Sequence, residues 1–448
     1  AWPGLALSIT RSFETAIVSY LYNKDLVIGL AGLGTVGSGL VQLLKNNAAE
    51  IEQRTGKKIF VKYVAVRNID VKREIPKEAQ LINDPLLMAE DSEVQVIVEL
   101  IGGTTLAGTL IKKALENGKS VVTANKALLA EKGEELFALA EEKNLSLAYE
   151  ASVAGAIPVV QTIKDSLAGN KIETIFGILN GTSNYILSEM SSHGTEFDEA
   201  LKMAQKLGFA EADPTLDIDG FDAAHKLKLL IRLAWGVHYP YEKLSVQGIR
   251  NISAMDIAFA RSLGYSIKLL GQAGRTHDEI EAAVSPVLIP SSAMLARVDG
   301  AFNAIHINGN AVGSLFLHGL GAGSLPTASA VLGDIMSLMK DIYDSTGYVM
   351  QKLPLASMAK PEDSVSSWYL RLMVHDTVGV LRDIAGIFAK HSISIAQVIQ
   401  KKKQENGVPL VFMTHETTVE AMKNALQEIE ATKILNCKPV AFRVLELL

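Results

Sequence analysis

Gly32-Leu33-Gly34-Thr35-Val36-Gly37 follows the apolar run Leu26–Ala31 and opens a stretch of helical periodicity. Strand, glycine-rich turn and helix in that order are what a dinucleotide-binding unit requires. Gly32 permits the tight turn, Gly34 lets the backbone approach a pyrophosphate and Gly37 lets helix and strand pack closely, while the helix N-terminus attracts negative charge. With Leu33, Thr35 and Val36 these form the expected cofactor-binding turn. A glycine-rich turn without a ligand has the same sequence, so the chain beyond Gly37 decides between them. Short apolar runs at 60–66, 94–100, 120–123 and 145–149 alternate with helical patterns such as 37–53 and 126–142. That rhythm predicts a Rossmann-type α/β domain with a parallel sheet over residues 25–152.

The second strand ends Val66-Arg67-Asn68. An acidic residue there would bind a ribose hydroxyl of NAD, whereas Arg67 can grip a 2′-phosphate. The expected coenzyme is therefore NADP, with NAD use left open. Gly102-Gly103-Thr104-Thr105 follows the third strand at the carboxyl edge of the sheet, which makes Thr104 a candidate wall of the nicotinamide site.

Composition bounds the rest. The 448 residues are 48% hydrophobic and 21% charged, the balance of a globular protein of two or three domains. Forty-three basic and 49 acidic residues give a net charge of −6, with no basic field for nucleic acid or an anionic membrane surface. A small-molecule partner is expected instead. The one cysteine, Cys437, excludes an internal disulfide and a thiol metal cluster, which fits a cytoplasmic protein. The apolar stretch 27–44 has membrane length, but five glycines make it strand, turn and helix. Residues 1–24 carry Arg11 and Glu14 within an apolar pattern, lack a basic start and a clear cleavage site, and are read as an extension without an export signal.

After Gly155 the pattern turns to helices, clearest at 197–207 and 221–235, and then to strand-like runs near 280–288 and 303–307. This predicts an α+β catalytic and dimerisation domain over 153–345, with the helix 324–339 packing back on the first domain. Residues 346–367, with Pro354 and Pro361, read as a linker. The segment 368–448 shows strand, helix, strand, strand, helix, strand, the ferredoxin-like βαββαβ order, with a polar hairpin at 401–406.

Residues 208–226 hold five carboxylates and a lysine around an apolar helix start. Asp222 and Lys226 are four apart, so one helix face presents both and the carboxylate can tune the lysine. An ordinary surface ion pair has the same spacing. The histidines His193, His225 and His238 are not clustered for zinc and read as surface or core residues.

Asp217, Gly220, Asp222 and Lys226 form a D-x-x-G-x-D-x-x-x-K run that resembles the homoserine dehydrogenase signature. The resemblance extends through Thr123-Ala124-Asn125-Lys126, Glu150-Ala151-Ser152-Val153-Ala154-Gly155, Asn180-Gly181-Thr182-Ser183-Asn184 and Gly321-Ala322-Gly323, nearly all of residues 25–340. It implies reversible reduction of L-aspartate 4-semialdehyde to L-homoserine, within threonine, methionine and isoleucine biosynthesis. It further implies Lys226 as acid and base, Asp222 as its orienting carboxylate, and Lys126 as a second active-site lysine touching substrate and coenzyme. Glu211, Asp217 and Thr182 would bind substrate, and Gly208, Gly321 and Gly323 would line the coenzyme site. Glu150, Val153, Gly155 and Ile157 match positions that hold a sodium or potassium ion, chiefly through backbone oxygens, a ligation that leaves almost no trace in sequence. A homodimer or homotetramer is implied.

Val374-His375-Asp376-Thr377-Val378-Gly379-Val380-Leu381 resembles the first turn of an ACT domain, where Asp376 can cap a helix and Gly379 allows close approach of an effector. The expected effector is an amino acid, threonine by the pathway's logic; a loop that only closes the fold is the plainer alternative. Two rival functions remain. Aspartate semialdehyde dehydrogenase resembles enzymes with a cysteine nucleophile, and Cys437 lies in the wrong domain. A non-catalytic nucleotide and amino-acid sensor would not need Lys226.

Overall fold

Six strands build the first layer of the computed structural model, which describes residues 25–276, 279–343, 365–400 and 407–444. Residues 1–24, most of the expected linker and the expected hairpin at 401–406 lie outside them. The chain separates into two units, Ala1–Gln351 and Lys352–Leu448.

In the first unit, β1 (Leu26–Ala31), β2 (Ile59–Ala65), β3 (Gln80–Ile82), β4 (Val96–Glu99), β5 (Ser120–Thr123) and β6 (Leu147–Ala148) pair in parallel in the order β3-β2-β1-β4-β5-β6. Strands covered on both faces are continuously apolar, and β4 and β5 are buried at every residue. Winding reverses between β1 and β4, and the crevice beyond their carboxyl ends is where doubly wound sheets take ligands. The helix Lys126–Glu142 forms over the expected residues. The one expected over 37–53 is two helices, Thr35–Asn46 and Ala48–Thr55, parted at Asn47, whose φ of −108° and ψ of 19° leave the helical region. Asparagine competes for local backbone hydrogen bonds and favours such a break.

A second sheet comes next in the chain. β7 (Ile172–Ile178), β8 (Ser245–Val246), β9 (Tyr265–Thr276), β10 (Glu279–Pro290), β11 (Phe302–Gly309) and β12 (Gly313–Leu320) lie in the order β12-β11-β7-β9-β10-β8, mostly antiparallel. The helices Gly181–His193, Phe197–Lys206 and Phe221–Trp235 cover it, sharing a core in which Leu187, Ala204, Leu227 and Ile231 meet Ile175, Leu269 and Ile305. The helix Ser324–Tyr343 returns to the first sheet, where Ala328, Val331, Ile335 and Leu338 join Ile28, Leu30 and Leu40. Each such buried valine, leucine or isoleucine contributes about 1.5–3 kcal/mol relative to exposure.

In the second unit, β13 (Val365–Val374), β14 (Ile395–Gln400), β15 (Val408–Thr414), β16 (Thr417–Thr418) and β17 (Val440–Val444) alternate with the helices Val380–Lys390 and Val419–Ala431. The four main strands lie in the order β14-β15-β13-β17, the ferredoxin-like arrangement, over a core centred on Phe388 and Phe412, 5.2 Å apart edge to face. Gly379, at φ 99°, occupies the N-cap position of the first helix, three residues after Asp376. No helix among the described residues is long and apolar enough to cross a membrane.

Candidate active site

The glycine-rich turn has the shape its residues predict. Gly32 is left-handed at φ 100°, and a Cβ there would lie 2.6 Å from Leu100 O. A Cβ on Gly37 would lie 2.2 Å from Gly32 O, whereas one on Gly34 would meet open space. Backbone packed tightly behind the turn and open in front of it fits a pyrophosphate held against the N-terminus of Thr35–Asn46. A second helix reaches the same place: Ser324 Oγ donates to Thr35 O at 2.6 Å, directly after Gly321 and Gly323. Gly321 lies against Asn303, 2.2 Å from a would-be Cβ. Arg67 is exposed past the end of β2, where Arg73 donates to Asn68 O at 2.6 Å and fastens the loop.

The carboxyl ends of β4 and β5 are tied together. Glu99, fully buried, accepts from Ile101 and Gly102 N–H groups and from Thr123 Oγ1 at 2.6 Å. Asn125 accepts from Leu128 N–H as a helix cap and donates to Gly103 O at 2.7 Å. This network holds Gly102, Gly103 and the half-buried Thr104 beside Lys126, the first residue of its helix.

From the opposite side the helix Phe221–Trp235 brings Asp222 and Lys226, 4% and 8% exposed. Lys226 Nζ donates to Asp222 Oδ2 at 2.7 Å and to Leu179 O at 2.6 Å. Lys126 Nζ pairs with Asp222 Oδ1 while its side chain stays 41% exposed. Two residues far apart in sequence thus meet over one carboxylate. Burial disfavours an ionised Asp222, but the charges of Lys226 and Lys126 outweigh it and hold the carboxyl well below its usual range. Burial lowers Lys226, with Lys126 adding repulsion against the pull of Asp222. Burial works against the Lys126 charge too, yet Asp222, Asp217 and Glu211 prevail and raise it. Burial raises Asp217, although Asn180 donates to it.

The other expected residues fall around this centre. Thr182 Oγ1 donates to Phe209 O at 2.6 Å, tying the start of Gly181–His193 to the turn that holds Gly208, left-handed at φ 78°. Glu211 is exposed at the rim. Asn180, part of a sequence motif but without an expected role, donates to Asp217 and Asp222. Its partners lie 37 and 42 residues away, so no local pattern could reveal it. His225 lies against Tyr241 with the rings tilted at 34°, while His193 and His238 pair with Glu189 and Glu134.

At the hinge, both Glu150 carboxylate oxygens accept backbone N–H groups, of Val160 and Gln161, at 2.8 Å each. Val153, Gly155 and Ile157 are buried, and Gly155 packs so tightly that a Cβ would lie 2.5 Å from Gly321 O. An ion here would depend on backbone oxygens, as hard cations allow. In the second unit, Asp376 lies in the exposed loop before Gly379.

Comparison with known proteins adds an independent line. Residues 32–150 match the homoserine dehydrogenase NAD binding domain, residues 158–336 match homoserine dehydrogenase, and residues 368–433 match the ACT domain. Homoserine dehydrogenase of Neisseria gonorrhoeae is 43% identical over 93% of this chain and 98% of its own. The crystal structure of a homoserine dehydrogenase from Thiobacillus denitrificans has a TM-score of 0.70 at 42% identity, covering 94% of this chain and 98% of that one. A hyperthermophilic archaeal homoserine dehydrogenase in complex with NADPH has a TM-score of 0.59 at 26% identity, covering 72% and 100%.

Proposed function

The chain belongs to the homoserine dehydrogenase family, and from that premise we propose that it reversibly reduces L-aspartate 4-semialdehyde to L-homoserine with Lys226 as proton donor and acceptor. The observation that carries this reading is the buried Lys226–Asp222 pair at the carboxyl edge of the nucleotide-binding sheet. Bound nicotinamide coenzyme supplies or takes the hydride. The chain's own residues manage the proton. An ammonium has three N–H groups, and Leu179 O and Asp222 Oδ2 engage two of Lys226's, so one remains to donate to the developing alkoxide. In the oxidising direction the free amine takes the hydroxyl proton, and the burial that lowers its pKa favours that uncharged form. Asp222 orients Lys226 and Asp217 supports the network. Lys126 binds the substrate and the coenzyme edge, and Glu211 and Thr182 complete the substrate pocket, Glu211 taking the substrate ammonium.

NADP is the proposed coenzyme, gripped at its 2′-phosphate by Arg67, with NAD as a second substrate; the archaeal relative in complex with NADPH supports this choice. Gly32 to Gly37, Thr104, Gly208, Gly321 and Gly323 line the coenzyme. A sodium or potassium ion at the backbone of Glu150, Val153, Gly155 and Ile157 would stiffen the hinge. Threonine is the proposed effector, bound near Asp376 and Gly379, and the enzyme acts as a homodimer or homotetramer in the cytoplasm on the route to threonine, methionine and isoleucine. Homoserine-dependent reduction of NADP and NAD, with and without threonine, tests the reading. Lack of turnover with both coenzymes would leave a nucleotide and amino-acid sensor as the better account.

A further inference from the structure

We infer that Asn180 is a positioning residue for the proton donor, because the dipeptide Leu179–Asn180 holds both halves of the Lys226–Asp222 pair; this rests on Lys226 being that donor. Leu179 O accepts from Lys226 Nζ at 2.6 Å, and Asn180 Nδ2 donates to Asp222 Oδ2 at 2.9 Å. The other hydrogen of the same amide goes to Asp217 Oδ1 at 2.7 Å. Asn180 Oδ1 accepts from Ser183 N–H at 2.7 Å, which caps the helix Gly181–His193. This pattern decides the orientation of the amide. Flipped, it would set an oxygen against two carboxylates and an NH₂ against a backbone N–H.

The dipeptide itself is held firmly. Asn180 is 5% exposed. Gly177 and Gly271 make room for Leu179, whose side-chain carbons would lie 2.7 and 2.8 Å from a Cβ on either glycine. Asn303 Nδ2 donates to Leu179 O at 3.2 Å, and Ser183 Oγ donates to Asp217 O at 2.8 Å. Asn180 therefore works as a rigid neutral bridge that fixes the buried Asp222 and the half-buried Asp217 near each other without adding charge. The charged and titratable groups facing them are Asp222, His225 and Lys226 from one helix, Lys126 from the helix across the cleft, Asp217, and Glu211 from the rim. Loss of the bridging donor leaves the negative charge of Asp222 and Asp217 less compensated, so Lys226 keeps its proton to higher pH. Homoserine oxidation needs the free amine, so it is lost on the acid side first.

A helix cap is the plainer role for Asn180, and the two roles separate cleanly. Serine and aspartate cap helices as well as asparagine does, but neither donates to both carboxylates. The experiment measures kcat/KM for homoserine oxidation against pH in the full-length wild type, Asn180→Ser and Asn180→Asp, with coenzyme affinity and thermal unfolding of each. Both variants are expected to keep coenzyme affinity within about 2-fold, lose roughly 10-fold or more in kcat, and move the acid-side inflection up by about one pH unit. Should Asn180→Asp fail to fold, Asn180→Ser decides alone. A uniform loss at every pH, or wild-type profiles in both variants, would overturn the inference while leaving Lys226's role intact. An inactive wild type would overturn both.

Discussion

Lys226 Nζ and Asp222 Oδ2 lie 2.7 Å apart on successive turns of one helix, inside the protein rather than on its surface. An exposed lysine and carboxylate at this spacing contribute little. Buried, the same pair is costly to break, because removing one partner strands a charge at about 3–5 kcal/mol. Asp222 also lies in the first turn of its helix, where the helix dipole favours an anion. The pair is thus a fixed charge reservoir facing the cleft, and its lysine is held by acceptors that leave one proton for chemistry.

The tight rear of the nucleotide turn yields a prediction about folding and binding together. In Gly37→Ala the new methyl meets Gly32 O at 2.2 Å, so the helix must move away from the strand. Overpacking of this kind costs about 1–3 kcal/mol. Chemical denaturation should show that loss, and coenzyme affinity should fall with it. Unchanged values for both would mean the turn adapts more freely than its packing implies.

For coenzyme choice the test is Arg67→Ala. If the guanidinium binds a 2′-phosphate, its removal weakens NADP selectively by about 1–3 kcal/mol and leaves NAD nearly untouched. Ratios of kcat/KM for the two coenzymes measure this directly. An unaltered ratio makes Arg67 a bystander on the strand end.

Asp334 offers a stability prediction with a definite sign. It is 4% exposed and accepts Glu150 N–H at 2.8 Å, and burial lifts its carboxyl from 3.8 to about 7. A folded-state pKa above the unfolded one means that the native protein holds the extra proton between those values. Stability from this group is therefore present below the unfolded pKa and is lost as the pH rises towards the folded one. Asparagine keeps the acceptor without the charge. Urea unfolding of Asp334→Asn should show it gaining on the wild type as pH is raised from 4 to 7.5, by a few kcal/mol in order of magnitude. Parallel pH curves would refute the assignment.

Control by threonine requires that the effector favour one state over another, and typical coupling of about 1–3 kcal/mol changes affinity about 5- to 150-fold. The expected outcome is that millimolar threonine inhibits the full chain and that a version ending near Lys360 stays active and ignores it. Neither binding nor inhibition in the full chain would leave the ACT domain to another amino acid or to a structural role.

Much of the nucleotide-binding layer was legible because its central strands are largely apolar, as in Leu26–Ala31, and its first helix, Thr35–Asn46, carries a clear apolar face. The second sheet was harder. In β7 and β9, Gly177, Gly271 and Gly274 dilute the apolar pattern because they make room for side chains such as Leu179. The helix Gly181–His193 begins Gly-Thr-Ser-Asn, a poor helix start until Asn180 caps it. The break at Asn47 split one expected helix into two. Within the site, the spacing of Asp222 and Lys226 put both on one helix face but fitted a surface ion pair as well, whereas their burial and the meeting of Lys126 with Asp222 are products of tertiary structure.

The most direct test is turnover by Lys226→Ala beside the wild type, with homoserine and NADP as substrates and coenzyme binding measured separately. If Lys226 carries the proton, kcat falls by roughly 10²-fold or more while the coenzyme dissociation constant stays within about 2-fold, because the substitution removes a proton donor and leaves the nucleotide turn in place. A variant that turns over homoserine at close to the wild-type rate would contradict the account at its centre.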